Sequence, residues 1–276
     1  MDKKELQNPA LYTNRELSWL LFNKRVLSEA RDKQLLLFER LKFLSITASN
    51  LDEFFMVRIG SLVDMIHAEY TKKDIAGMSA KEQLDALMEE THKFAALQYS
   101  TYNRMLLPQL RANGLNFVEH HEQLTERQAQ YVDEYFEENV YPVLTPMAVD
   151  SSRPFPLIRN KTLNIGALVA KKGEKDTEIE FATVQVPSVL PRVVRIPAAK
   201  EGDTEVAVLL LEEIIERNIS KLFLNYNVLC AHPFRITRNA DLAIDEDEAE
   251  DLLLEIEKQI KKRTWGQAIR LEIEAA

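Results

Sequence analysis

A change of sequence pattern after Gly114 is the feature that most constrains the fold of this chain of 276 residues. Before it, apolar residues recur every three or four positions, as on the buried face of amphipathic helices. After it, prolines divide the chain into short segments in which apolar and polar residues alternate, as in half-buried strands. We therefore predict an α+β protein with two domains, a helical bundle over residues 1–114 and an α+β domain over residues 115–276.

Capping signals divide the first domain into helices. A T-x-x-E pattern begins at Thr13 and an S-x-x-E pattern begins at Ser79, each ahead of an apolar periodic run. Further helices are predicted over residues 35–46 and from Asn50 onward, and the last one ends before Asn113, which precedes a glycine. Long helices with short connections favour an antiparallel bundle.

The second domain is predicted to contain a mixed or antiparallel sheet. Alternation over residues 163–169 and 181–186 indicates two paired strands, and residues 269–273 indicate a closing strand. Residues 206–217 are predicted to form a helix, and a capping pattern at Asp245 predicts another. No regular strand–helix–strand rhythm is present, so a purely parallel sheet is not expected.

The composition excludes several classes of protein. The single cysteine rules out a disulfide framework and a cysteine-ligated zinc site. No apolar run approaches the roughly 20 residues of a membrane-spanning helix, and the first residues lack the apolar core of a signal peptide. The formal net charge of −9 disfavours generic nucleic-acid binding, although local basic patches can still hold an anion. We expect a cytoplasmic protein, with peripheral association with the inner membrane left open.

No complete catalytic motif is present in the chain. The five histidines are His67, His92, His120, His121 and His232, and none has the H-E-x-x-H spacing of a metal site. Phosphate-binding loops and the G-x-S-x-G nucleophile motif are also absent. We interpret the histidines as surface or turn residues and predict no catalytic residue and no metal ligand.

Asn50 is a candidate binding residue, within the segment S-N-L-D-E-F-F that begins at Ser49. Local rules predict Asn50 at a helix start, where its side chain can accept backbone N–H groups. The same carboxamide can also donate to and accept from the edge of an adenine. Both interpretations stay open, and they are compatible with each other.

Arginines of the second domain form a second group of candidates. They occur beside prolines or in a predicted strand, and they are Arg153, Arg192, Arg235 and Arg238. A guanidinium presents a donor fork that matches phosphate, so these residues are candidate contacts for a polyanion. The sequence does not show that they converge. Basic residues at 258–263 are interpreted as charges that complement a helix C-terminus.

Six sequence blocks resemble the type 1 bacterial polyphosphate kinases. The first begins N-R-E-L-S-W-L at Asn14, and the second contains the S-N-L-D-E-F block around Asn50. The blocks span residues 14–27, 40–58, 143–146, 154–156, 186–192 and 233–241. They are ordered and spread over nearly the whole chain, so the chain is identified as a member of this family.

The resemblance implies a specific activity for the parent protein. Members transfer the terminal phosphate of ATP reversibly to inorganic polyphosphate, using magnesium and a phosphohistidine intermediate. They contain an N-terminal domain, a head domain and two C-terminal catalytic domains, and this chain resembles the first domain and most of the second. The histidine nucleophile and the magnesium-contacting residues belong to the C-terminal domains, so this chain alone is expected to be inactive.

The resemblance also implies roles for parts of this chain. Asn50 would bind ATP as one wall of the nucleotide site. The head domain would contribute to a homodimer and to a polyphosphate tunnel, which is compatible with the arginines near Arg153, Arg192 and Arg235.

An alternative function remains open at this stage. The chain stops at Ala276 directly after a predicted strand, which we interpret as a truncation. The alternative is a stand-alone module that binds a polyanion or a protein without catalysis. A reading frame that continues into a histidine-bearing catalytic half would distinguish the two.

Overall fold

The chain forms two compact units in the computed structural model, which describes residues 7–149, 155–173, 178–240 and 266–274. The first unit comprises Met1–Gln109 and Thr237–Arg270, and the second comprises Leu110–Ile236 and Leu271–Ala276, as far as these residues are described. The boundary at residue 114 stays a prediction. The helix expected at Asp245, the basic residues 258–263 and Arg153 lie outside the described residues.

Helices build the first unit. They are α1 Arg15–Arg31, α2 Leu37–Phe54, α3 Gly60–His67, α4 Ala80–Thr101 and α5 Leu107–Ala112. Two π turns, Phe55–Ile59 and Tyr102–Leu106, continue α2 into α3 and α4 into α5. Pro108 follows the second π turn, in keeping with the loss of a backbone donor at proline.

The predicted capping box at Ser79 is confirmed, whereas α1 begins one residue later than predicted. Asn14, not Thr13, caps α1, and its Oδ1 accepts the backbone N–H groups of the second and third residues that follow it. Asn14 Nδ2 also donates to Asp74 and Gln83, at 2.7 and 2.8 Å. These distant partners fix the Asn14 side chain, which explains why local rules chose the wrong cap.

The helix start predicted at Asn50 is wrong. One helix, α2, runs from Leu37 to Phe54, so Asn50 lies inside it. The polar run that suggested a cap is accommodated within the helix, because Thr47 Oγ1 donates to the Leu44 carbonyl at 2.7 Å. The capping interpretation of Asn50 is therefore excluded by the structure.

A mixed sheet is present, as predicted. The strands are β1 Leu115–Val118, β2 Pro146–Val149, β3 Leu163–Lys171, β4 Ile179–Gln185, β5 Val193–Ile196, β6 Val206–Leu210, β7 Tyr226–Arg238 and β8 Ala268–Ile273. In the three-stranded sheet, with order β1-β6-β5, β6 is parallel to β1 and antiparallel to β5. In the five-stranded sheet, with order β2-β4-β3-β7-β8, β3 is antiparallel to both of its neighbours.

Two further helices complete the second unit, α6 Glu126–Tyr135 and α7 Leu211–Arg217. The helix predicted over residues 206–217 is half wrong, since Val206–Leu210 forms strand β6 and only the remainder is helical. Strand β6 is paired on both edges and largely buried, and such a strand shows a continuous apolar run that periodicity cannot distinguish from a helix. The short helix α7 then places its acidic residues beside the sheet.

Gly60, at the start of α3, allows a close approach by Asn239. A Cβ atom at Gly60 would lie 2.7 Å from Asn239 Cγ, which is closer than any real contact of this kind. Asn239 Nδ2 donates to Asp64 Oδ2 at 2.8 Å, and the next residue donates its backbone N–H to the carbonyl of Met56. Residues that follow β7 are thus bound to α3 within the first unit.

We predict that Gly60→Ala lowers the free energy of unfolding by about 1–2 kcal/mol, because the new methyl group displaces Asn239. In an Asn239→Ala background the same substitution should instead stabilise the protein, since alanine exceeds glycine in helix propensity by about 1 kcal/mol. Urea denaturation of the four variants measures both effects. Stabilisation by Gly60→Ala in the wild-type background would contradict the contact.

Candidate functional site

Asn50 is held by a second asparagine from the neighbouring helix. Asn50 Nδ2 donates to Asn23 Oδ1 at 3.1 Å, and Asn23, in α1, is fully buried. Asn23 Nδ2 in turn donates to the backbone carbonyl of Thr47, one turn before Asn50, also at 3.1 Å. The two carboxamides therefore form a chain of hydrogen bonds that runs, from donor to acceptor, from the partly exposed Asn50 side chain through Asn23 to the Thr47 carbonyl.

Thr47 extends this chain of hydrogen bonds to a third helix. Its buried hydroxyl accepts a hydrogen bond from Gln98 Nε2 of α4 at 2.9 Å while it donates within α2. Three helices are thus tied to one polar centre. Within the part of the chain that the structure describes, Asn50 Oδ1 has no hydrogen-bond partner, so this oxygen can accept from a ligand.

The position of Asn50 changes the chemistry expected around it. Inside a helix the backbone N–H groups are already bonded, so no free N–H groups surround Asn50 to receive a phosphate. Asp52, two residues later, is 3.5 Å from Arg270 Nη1, and the Arg270 guanidinium lies 5.0 Å from the centre of the Phe55 ring. Asn50 therefore offers a neutral carboxamide, which suits a base edge better than a phosphate.

Three of the four candidate arginines have partners within the chain. Arg192 contacts the buried carboxylate of Glu212 through Nε at 3.0 Å and Nη2 at 2.5 Å. Arg235 contacts Glu272 through Nε at 2.7 Å and Nη2 at 2.5 Å. Arg238 Nη1 donates to the carbonyl of Gly266 at 2.8 Å. Each of these arginines thus has its own hydrogen-bond acceptor within the chain. A polyanion would have to share the guanidinium group with that acceptor.

Two family models match this chain, one after the other along the sequence. The family model described as the polyphosphate kinase N-terminal domain matches residues 12–118, and the polyphosphate kinase middle domain matches residues 127–276. The chain belongs to the polyphosphate kinase family. This finding confirms the resemblance seen in the sequence.

Individual polyphosphate kinases show how similar this chain is to its relatives and how much of their length it covers. It is 48% identical to polyphosphate kinases of Halalkalibacterium halodurans and Lactiplantibacillus plantarum, over 98% and 95% of the chain. The crystal structure of a polyphosphate kinase from Porphyromonas gingivalis is similar, with a TM-score of 0.73 and 28% identity over 91% of the chain. The chain spans only 36–38% of the length of these three proteins.

None of the helices in the described ranges combines the length and the apolar character needed to cross a bilayer.

A group of histidines and glutamates in the second unit was missed by the sequence prediction. His120 Nδ1 lies 3.8 Å from oxygens of both Glu213 and Glu274. His232 Nδ1 lies 3.7 Å from Glu216 and 3.5 Å from Glu274. The histidines are exposed, as predicted, but these donor sets could hold a metal ion. The signal available in the sequence was the i,i+3 spacing of the two glutamates on α7.

Two carboxyl groups of this cluster have altered acidity. Burial, followed by the negative charges of Glu213, Glu274 and Glu122, raises the pKa of Glu216 to about 8. Burial also raises the pKa of Glu213, against the effect of hydrogen bonds from His121. The folded protein therefore retains a proton on Glu216 at pH values where the unfolded chain has released it.

We predict that Glu216 makes the metal-free protein less stable as pH rises. A raised pKa stabilises the folded state fully below about 4.5, and this contribution is lost as pH approaches about 8. Glu216→Gln should therefore show a flatter dependence of the urea midpoint on pH between 5 and 8, measured with EDTA. The exposed Glu29→Gln serves as the control, and a Glu216→Gln profile that matches it and the wild type would contradict the prediction.

Proposed function

We propose that this chain forms the N-terminal and head domains, residues 1–114 and 115–276, of a polyphosphate kinase. The parent enzyme would transfer the terminal phosphate of ATP reversibly to inorganic polyphosphate. The observation that carries the proposal is the match of both family models, in order, over residues 12–118 and 127–276. A cytoplasmic homodimer that binds no nucleic acid is part of the same proposal.

The catalytic histidine and the magnesium ligands are proposed to lie in the C-terminal part that these relatives have beyond the matched region. Phosphoryl transfer through a covalent intermediate needs an activated nucleophile and preorganised charge stabilisation. Neither role is assigned to a residue of this chain, so we propose that it is inactive alone. Polyphosphate synthesis from ATP by the purified 276-residue chain would contradict this part of the proposal.

Asn50 is proposed to contact the adenine of ATP. Its Oδ1 is available to accept a hydrogen bond, and its NH₂ group retains a second N–H after donating to Asn23. An asparagine side chain with both groups available can pair with the N6 and N7 edge of adenine. Magnesium in nucleotide sites is usually bound by one or two carboxylates and by the substrate phosphates, so we propose that other residues and the ATP phosphates hold it.

The head-domain arginines are proposed to contact polyphosphate. Arg192 is the strongest of these candidates, because its side chain remains 62% exposed despite the pair with Glu212. Phosphate can share a guanidinium that already binds one carboxylate, since the group carries five N–H donors. Arg153, Arg235 and Arg238 are proposed as further contacts.

We predict that Asn50→Ala in the full-length enzyme raises the KM for ATP by about tenfold, the effect of losing two ordinary hydrogen bonds. The kcat should change little, because adenine contacts are made equally in the ground state and the transition state. Steady-state kinetics with varied ATP measures both constants.

Ser49→Ala is the matched control, since Ser49 is the exposed neighbour of Asn50 on the same helix. It should leave the KM for ATP unchanged. An Asn50→Ala enzyme with a lowered melting temperature and a wild-type KM would show that Asn50 is structural only.

A further inference from the structure

The histidine–glutamate cluster of the second unit is assembled from four separate elements. Glu213 and Glu216 lie three residues apart on α7 and therefore point to the same side of the helix. His120 follows strand β1, His232 lies in β7, and Glu274 directly follows β8. Sheet pairing and helix packing thus bring together residues that are far apart in the sequence.

Glu274 is the centre of this arrangement. One of its oxygens, Oε1, lies 3.8 Å from His120 Nδ1, and the other, Oε2, lies 3.5 Å from His232 Nδ1. Glu213 completes one set of three donors and Glu216 completes the other, and the donor atoms of each set lie within 4.8 Å of one another. Two sets of ligand atoms therefore share one carboxylate.

The separations between the donor atoms suit a metal ion. Zinc bonds of 2.0–2.1 Å in a tetrahedral site place neighbouring donors about 3.3 Å apart. The histidine-to-carboxylate separations of 3.5–3.8 Å require only a small contraction to reach that value. They are too long for good hydrogen bonds, so the imidazoles are not satisfied by these carboxylates alone.

The carboxylates of the cluster also lack ordinary counter-ions. Among the residues described in the structure, the charged partners of Glu213, Glu216 and Glu274 are all histidines, with no lysine or arginine. Their side chains are 7%, 13% and 29% exposed, respectively. Buried carboxyl groups are normally protonated, paired or bound to a metal, and a bound divalent cation would supply the counter-charge that no described lysine or arginine provides.

One carboxylate is already oriented as a ligand. The backbone N–H of His121 donates to Glu213 Oε2 at 2.9 Å, and His121 Nδ1 lies 3.2 Å from the same oxygen. Glu213 Oε1 is thereby left directed toward His120. Support of this kind, in which an outer group fixes a liganding carboxylate, is typical of protein metal sites.

We propose that this cluster binds a divalent transition-metal ion such as Zn²⁺, with Glu274 as the shared ligand of two donor sets, His120 with Glu213 and His232 with Glu216. Imidazole nitrogen combined with carboxylate oxygen favours zinc and related ions over magnesium, which prefers oxygen ligands. The proposed site shares no residue with the proposed nucleotide contact at Asn50.

Isothermal titration of the EDTA-treated, dialysed 276-residue chain with ZnCl₂ tests this site. We expect saturable binding by the wild type, with the affinity reduced at least about tenfold in His120→Ala, His232→Ala and Glu274→Gln. The control is His92→Ala, which removes an exposed histidine from α4 and should leave the affinity unchanged. MgCl₂ should not compete at the same concentration.

Co²⁺ provides a second readout that needs no variant. Bound to nitrogen and oxygen ligands at this site, it should give a visible absorption spectrum that stoichiometric Zn²⁺ removes. Circular dichroism verifies that each variant is folded. The proposal would be overturned if the wild type showed no saturable Zn²⁺ binding, or if a folded cluster variant bound Zn²⁺ as tightly as His92→Ala.

Discussion

The hydrogen bond from Asn23 to the Thr47 carbonyl is the interaction on which the first unit depends. A buried carboxamide without partners costs about 1–3 kcal/mol, so Asn23 requires α1 and α2 to lie in one register. The same register lets Trp19 stack on Phe54, with ring centroids 4.4 Å apart. Asn23 also orients Asn50, because Asn50 Nδ2 donates a hydrogen bond to Asn23 Oδ1.

The carboxylates of the second unit fall into two groups with different charged partners. Arg192 and Arg235 each have a glutamate partner, whereas the carboxylates around Glu274 have only histidines as charged partners in the described residues. The net charge of −9 therefore says little about which ligands the protein accepts. Two of the arginines proposed to contact an anion are paired with glutamates, and the carboxylates proposed to bind a cation lie close to one another.

Local sequence rules predicted those features that depend on neighbouring residues. The capping box at Ser79 and the alternation of β3 were correct, since both arise from contacts within a few residues or within one strand. The helix start at Asn50 was wrong because the polar side chains there do not interrupt α2: Thr47 bonds within the helix, and Asn50 donates to Asn23, which is 27 residues away. Strand β6 was mistaken for a helix because pairing on both edges, which the sequence does not display, decides its conformation. The histidine cluster was missed for the same reason.

A double-mutant cycle between Asn23 and Asn50 tests most directly whether the buried hydrogen bonds orient Asn50 for the proposed nucleotide contact. The KM for ATP is measured for the full-length wild type, Asn23→Ala, Asn50→Ala and the double variant. If Asn23 acts only by orienting Asn50, Asn23→Ala raises the KM and the double variant has the KM of Asn50→Ala. A double variant whose KM rises by the product of the two single effects would contradict this account.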